Sequence, residues 1–348
     1  MKMKKTIFLV LSCFLFLIIF EIFSFSVIKF YSILTTKKIS SELTAKYSYI
    51  ETLDIQEDKN YSAFYGWRGF YSDDKYKVRQ TSINSNWNKK SLVYFFGGST
   101  VLGAGTTFDK TVPSHFSGLN HNFQPINMGE HSYVSGQSLN RLIEIIDQIN
   151  KDDIVIFYEG VNDVTVNCQK HLGINGHSRV FKINQLIKNE NNIIYLIYKK
   201  ILQNFQSTNS FKLINGSFKK VFNYDLKYKS IEDIFICGNK KNAQKVAKNL
   251  VKHWMVAETL VKNKNAKFYA FLQPSPYTAD FKLSVPSREI WKRSYDKVYP
   301  IIRDLINTKE NYHDLSKSLK KDFYVDWCCH MHSDGNEFIS KKIFELIF

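Results

Sequence analysis

The chain reads as an α/β protein whose parallel sheet is covered on both faces, preceded by one membrane-spanning helix. Three observations lead there. Short apolar runs such as Leu92-Val93-Tyr94-Phe95-Phe96 alternate with amphipathic stretches, the pattern of strands buried on both sides. The 348 residues are 44% hydrophobic and 15% aromatic, which is enough to bury a sizeable core and excludes a disordered chain. Residues 6–28 are almost wholly apolar, a length that crosses the roughly 30 Å hydrocarbon layer as a helix.

The amino terminus carries Lys2, Lys4 and Lys5 before that apolar stretch. A cleavable signal has a shorter apolar region and a small-residue cleavage site, whereas this stretch runs on into Phe23-Ser24-Phe25-Ser26-Val27-Ile28. Residues 1–28 therefore read as an uncleaved anchor rather than a removed signal. Glu21 lies towards its far end, where it can reach the interface or a partner helix. The leading lysines favour a cytoplasmic amino terminus and an exported remainder, a bias that Lys29, Lys37 and Lys38 weaken.

Residues 29–90 are polar and rich in Tyr and Lys without a clear period, as expected of a juxtamembrane spacer and a surface-packed extension. The core domain spans 91–348. Its elements alternate: strand 92–96, helix 109–118, strand 123–128, helix 138–149 and strand 153–159. Lys, Asn and Ser clusters at about 167–237 break the rhythm and read as an inserted lid or substrate wall. The alternation resumes with helix 241–262, strand 267–272, helix 287–307, a short strand at 312–315 and a last helix from about 335.

A net charge of +16 would suit nucleic acid or an anionic surface. The lysines are dispersed among Asn and Ile, however, with no basic helical face and no nucleic-acid module, so they read as a solvated surface beside lipid headgroups and no nucleic-acid partner is expected. Outside the apolar segment stand Cys168, Cys237, Cys328 and Cys329. Export permits a bridge from Cys168 or Cys237 to the 328–329 pair, and the sequence leaves the pairing open.

In an open parallel sheet the residues following successive strands converge beyond the strands' carboxyl ends. Here those residues are Ser99 in the turn Gly97-Gly98-Ser99-Thr100, then Gly129 in Asn127-Met128-Gly129, then Asn162 in Gly160-Val161-Asn162-Asp163. A hydroxyl, a closely approachable glycine N–H and an uncharged amide are the groups that acyl transfer requires for attack and for an oxyanion. Each also has a plain structural reading, as an N-cap, a turn and an Asx loop. The missing base is His330, which stands in Asp326-Trp327-Cys328-Cys329-His330 just before Gly335-Asn336, with Asp326 near enough to orient it.

These four blocks, in this order, resemble those of the SGNH hydrolases, or GDSL-type esterases and lipases. The likeness covers residues 91–166 and 265–348. The resemblance implies a flavodoxin-like three-layer αβα sandwich. It also implies Ser99 as nucleophile, His330 as general base and then acid, and an oxyanion hole formed by the N–H groups of Ser99 and Gly129 with the Asn162 side chain. The family's acid stands three residues before its histidine, a position held here by Trp327. Asp326, four residues before, is the expected acid, with Asp322 or a backbone carbonyl as substitutes. An α/β-hydrolase would need Gly-x-Ser-x-Gly, and residue 101 is Val.

The expectation is a membrane-anchored serine esterase acting on acyl esters of lipid or glycan, without metal or cofactor. Transfer of the acyl group to a sugar hydroxyl would use the same residues. A non-catalytic tethered binding protein on an esterase scaffold is the third reading, motivated by the displaced aspartate. Cys328, Cys329, His330 and His332 can also be read as soft zinc ligands, but adjacent cysteines rarely share one tetrahedral centre and no second ligand pair follows.

Overall fold

Five short apolar runs become five parallel strands in a computed structural model, which describes residues 2–37, 59–62, 66–69, 79, 81–82, 91–120, 122–180, 208–211, 213, 235–284 and 289–348. The chain divides into two compact units. One comprises Met1–Thr44 with Asn184–Tyr228, and the other Ala45–Ile183 with Lys229–Phe348.

The first unit contains helix α1, Lys2–Lys37, 36 residues long. Counted over the described residues, no helix is long and apolar enough to cross a membrane. The side chains of Ile7, Leu9, Val10, Cys13 and Phe14 lie outside that description. Leu11, Leu15, Phe16, Ile19 and Ile22 on the same helix are exposed. Glu21 accepts hydrogen bonds from the N–H of Asn209 at 2.6 Å and from the N–H and Oγ of Ser210 at 2.9 and 2.5 Å. The sequence pairs Glu21 with an interface or another helix; its partners are the first amides of a turn inside the expected insertion.

In the second unit a small antiparallel pair, β1 (Lys59–Ser62) and β2 (Gly66–Gly69), precedes the main sheet. The sheet consists of β3 (Ser91–Gly97), β4 (Phe123–Asn127), β5 (Ile154–Glu159), β6 (Lys267–Leu272) and β7 (Tyr312–Asp314), in the order β4-β3-β5-β6-β7, all parallel. Counted from β3, this is the doubly wound order 2-1-3-4-5, whose switch point lies between β3 and β5.

Alternate residues of each strand enter opposite layers. Tyr94 and Phe96 of β3, Val155 and Phe157 of β5, and Phe268 and Ala270 of β6 pack with α4 (Ser135–Ile145), α6 (Lys240–Lys262) and α7 (Glu289–Ile306). Val93, Phe95, Ile154, Ile156 and Phe271 face α3 (Val112–Ser117) and α8 (Ser333–Ile347). Two short helices follow strands directly: α2 (Ser99–Leu102) after β3 and α5 (Val161–Asn167) after β5. The expected helix 138–149 begins three residues earlier, at Ser135, and finishes as a 3₁₀ turn at Ile146–Gln148. The expected helix 109–118 resolves into a 3₁₀ turn at Phe108–Lys110 and α3.

Cys168 and Cys237 form a disulfide with each other, so neither joins the 328–329 pair as the sequence permitted. Ile236 N–H donates to Cys168 O at 2.8 Å, and Gln169 bridges Phe235. Both ends of the inserted stretch thus meet at one point of the domain; its interior at 181–207 and 214–234 lies outside the described residues.

Arg79 does more than sit in a spacer. Arg79 is buried, and its guanidinium donates to Leu102 O, Gly103 O and Thr106 O at 2.5, 2.7 and 2.7 Å. Those carbonyls lie at the end of α2 and just beyond it, where helix carbonyls lack internal partners. Arg79 therefore braces the segment that carries Ser99.

Candidate active site

Ser99 opens α2 at the carboxyl end of β3, beside the switch point of the sheet, where ligands of this architecture bind. Its position depends on Gly98, because a Cβ at residue 98 would overlap Asn162 Nδ2. Next to it, Thr100 Oγ1 is bonded by Gln273 Nε2, whose Oε1 accepts from Val161 N–H at 3.4 Å. Gln273 follows β6 and so ties α2 to the start of α5. Nothing in the sequence pattern singled it out.

His330 reaches Ser99 from the opposite side. The segments 323–325 and 330–332 form a hairpin, with Val325 N–H on His330 O at 2.9 Å and His332 N–H on Phe323 O at 3.1 Å. His330 Nε2 lies 2.7 Å from Ser99 Oγ, and its Nδ1 lies 2.5 Å from Asp326 Oδ2. Both ring nitrogens are engaged, which leaves none for a metal. Ser99 and His330 are each only 6% exposed.

The four-residue spacing is accommodated by the aspartate itself. Asp326 Oδ1 accepts the N–H groups of Cys328, Cys329 and His330 at 3.0, 3.1 and 3.3 Å, closing an Asx-type loop that leaves Oδ2 for the histidine. Trp327, at the position the resemblance reserves for the acid, packs edge-on against Trp291 at 4.5 Å between centroids. Asp322 is committed elsewhere, accepting from the N–H and Oγ of Ser284 and from the N–H of Tyr324. Cys328 and Cys329 Sγ lie 2.9 Å apart beneath this loop.

Burial on its own would raise the Asp326 pKa, but the hydrogen bond and charge of His330, together with the loop amides, outweigh it and hold the carboxyl below its ordinary range. For His330, burial works to lower the pKa, and the Asp326 carboxylate more than offsets it, so the net shift is upward.

Asn162 sits in the first turn of α5, and its Nδ2 donates one hydrogen to Tyr133 O at 2.9 Å. A primary amide has two donors. Asp163 secures this turn from below, accepting from the N–H and Oγ of Ser135 at 3.1 and 2.5 Å, while Ser135 Oγ also meets His253 Nδ1 at 2.8 Å. Gly129 lies near the site but serves it differently. Its N–H donates to Asn127 Oδ1 at 3.0 Å, and a Cβ there would overlap the backbone of Val101 and Leu102. Gly129 thus lets β4 and α2 approach closely.

No family model matches the sequence, and no curated protein matches it. Solved structures do resemble the fold. They include a G-D-S-L family lipolytic protein and several esterases. A member of the lipolytic G-D-S-L family from Veillonella parvula is 11% identical, with 74% of this chain and 97% of that one covered and a TM-score of 0.38. A carbohydrate acetylesterase family member from Sinorhizobium meliloti is 10% identical over 74% of this chain and 97% of its own, with a TM-score of 0.42. The aryl esterase of M. smegmatis is 10% identical over 74% of this chain and 100% of its own, with a TM-score of 0.38.

Proposed function

We propose that this protein is a membrane-anchored serine esterase that cleaves acyl esters through a covalent acyl-enzyme. The observation that carries the reading is the continuous relay Asp326 Oδ2, His330 Nδ1, His330 Nε2 and Ser99 Oγ, with contacts of 2.5 and 2.7 Å. His330 takes the Ser99 proton as Oγ attacks the ester carbonyl, and returns it to the leaving alcohol. Asp326 fixes the imidazole tautomer and stabilises the imidazolium. Water then attacks the acyl-enzyme with His330 again as base. The Ser99 N–H and the second hydrogen of Asn162 Nδ2 face the developing oxyanion.

The anchor belongs to the same proposal. A 36-residue helix is about 54 Å long at roughly 1.5 Å per residue, well over the roughly 30 Å hydrocarbon layer, and among its described side chains Leu11, Leu15, Phe16, Ile19 and Ile22 are exposed. The Cys168–Cys237 disulfide fits a catalytic domain on the oxidising side of the membrane.

The test is covalent labelling of the purified full chain by a fluorophosphonate probe, together with turnover of short-chain acyl esters. Wild type is expected to label and turn over, and Ser99→Ala to do neither. Labelling that persists in Ser99→Ala, or wild type that neither labels nor turns over, would sink the reading. Adding a glycan acceptor to the same assay separates hydrolysis from acyl transfer, and resistance to alkaline carbonate extraction tests the anchor.

A further inference from the structure

Two adjacent cysteines stand in the loop that holds Asp326, and the relay uses their amides but not their sulfurs. Cys328 and Cys329 are thiols whose Sγ atoms lie 2.9 Å apart. A disulfide bond is about 2.05 Å long, so the two sulfurs are within about 1 Å of bonding distance. Cys329 is 2% exposed and belongs to the apolar layer of Tyr295 and Tyr299, whereas Cys328 is half-buried at its margin. The hydrogen bond with Cys328, together with burial, holds Cys329 as a thiol by raising its pKa well above the ordinary value. Cys328 is therefore the sulfur that an external partner meets first.

A bond between these neighbours cannot leave the loop as it is. Adjacent Cα atoms are about 3.8 Å apart across a trans peptide, whereas the usual spacing in a disulfide is about 4.4–6.8 Å. Closing the pair therefore turns the peptide that joins them. The N–H of that peptide belongs to Cys329 and donates to Asp326 Oδ1 at 3.1 Å, between the Cys328 and His330 amides at 3.0 and 3.3 Å. Val325 N–H on His330 O at 2.9 Å closes the hairpin outside the loop, so the flanking chain does not absorb the change. It falls on Asp326, whose other oxygen meets His330 Nδ1 at 2.5 Å. A bond closed at this spacing is strained and correspondingly easy to reduce. The Cys168–Cys237 bridge fits surroundings in which disulfide exchange takes place.

We propose that Cys328 and Cys329 are a reversible redox modification site, closing to a vicinal disulfide that draws Asp326 away from His330 and lowers activity. The effect on catalysis rests on the serine-esterase reading above; the formation of the bond does not. Cys328, as thiolate, attacks one sulfur of an external disulfide such as oxidised glutathione, whose S–S bond breaks to release one thiol and leave a mixed disulfide. Cys329 then attacks Cys328 Sγ, and the bond to the second external sulfur breaks as the vicinal bond forms. The two cysteines give up two electrons and two protons, and the external disulfide takes them as two thiols. Reduced glutathione reverses the sequence.

The experiment equilibrates the purified full chain in glutathione buffers from fully reduced to fully oxidised. Each sample is alkylated in denaturant and read by peptide mass spectrometry, alongside kcat on a short-chain acyl ester. Both Cys328 and Cys329 are expected to take the label in reduced buffer and neither in oxidised buffer, with Cys168–Cys237 bonded throughout. The oxidised form should show a kcat lower by about 100-fold. Its acid limb should lie at lower pH, because His330 loses the carboxylate that raises its pKa. Cys328→Ser has no pair to close, so its kcat should be the same in both buffers. Cys329→Ser has no resolving thiol and should retain glutathione on Cys328. Two thiols that take the label in every buffer, a closed bond with unchanged kcat or an unmoved acid limb, or a response that persists in Cys328→Ser would each overturn the proposal. A reduced wild type without fluorophosphonate labelling or turnover would remove the esterase reading and with it the effect on catalysis, while the alkylation pattern decides the bond by itself.

Discussion

Asp326 and Asp163 are both largely buried and both accept backbone N–H groups, yet their pKa values are pushed in opposite directions. Asp326 faces the imidazole of His330, and its pKa is lowered. Burial raises the pKa of Asp163 to about 6, and that of its neighbour Glu159 to about 8, with Asp163 adding like-charge repulsion there. The Ser135 and Trp254 hydrogen bonds that work against these shifts do not reverse them. Burial and backbone bonding are common to both places, so what decides the charge is the group across from the carboxyl. Asp326 is held ionised beside an imidazole, whereas burial brings Asp163 up to about 6 and keeps a proton on Glu159 up to about pH 8.

Breaking the first member of this pair should have the largest effect. Asp326→Asn leaves the loop a hydrogen-bond acceptor at position 326 but removes the charge that fixes the imidazole. A loss of about 10³- to 10⁴-fold in kcat/KM is expected, by analogy with acid-to-amide changes in other serine hydrolases. The pH profile sharpens the point. The base must be neutral, so activity falls as pH drops through the His330 pKa, which lies above the ordinary 6.5. In Asp326→Asn that acid limb should move to lower pH. An unmoved limb in initial-rate measurements would mean that Asp326 does not set the histidine's charge.

The second member acts through position. Asp163→Ala strands Ser135 N–H in a buried site, a cost of about 1–3 kcal/mol, and loosens the turn that presents Asn162. A lower melting temperature with about a tenfold fall in kcat is expected; a change in stability alone would show that Asn162 is held by Tyr133 O without help from below.

The smallest effect concerns Glu159. Its carboxyl keeps a proton in the folded chain up to about pH 8, whereas in the unfolded chain it loses that proton near its ordinary pKa. Between those values the native state binds more protons, so stability falls as pH rises from about 4.5 to about 8. Glu159→Gln removes that contribution. Melting temperatures recorded from pH 5 to 9 should decline less steeply than in wild type, and an equal slope would place the pH dependence elsewhere.

The strands of the main sheet were legible almost to the residue, because strands buried on both faces leave unbroken apolar runs such as 92–96 and 267–272, whereas β1 and β2 fall in the stretch read as spacer. Ser99 and Asn162 were legible because sheet topology forces the residues after successive strands together, and His330 because a carboxylate, Asp326, stands four residues before it. Other parts of the site had no local signal. A braced carbonyl leaves no pattern around Arg79, and Gln273 is one polar residue after a strand. Gly129 marks close packing as readily as an exposed N–H, and the two cannot be told apart without knowing where Asn127 points. The triad loop was readable only in part: the sequence shows that Asp326 is one residue out of register, but the gathering of three amides on one carboxylate oxygen is a property of the folded hairpin.

The disulfide between Cys168 and Cys237 pins two chain positions 69 residues apart to a Cα separation of 5.2 Å. The chain thus leaves and re-enters the second unit at one place, while residues 184–228 between the two cysteines belong to the unit of the N-terminal helix. The disulfide keeps those two ends together whatever the length of chain between them. A single covalent pin thus fixes the geometry of the boundary between the sheet-bearing unit and the chain that leaves it.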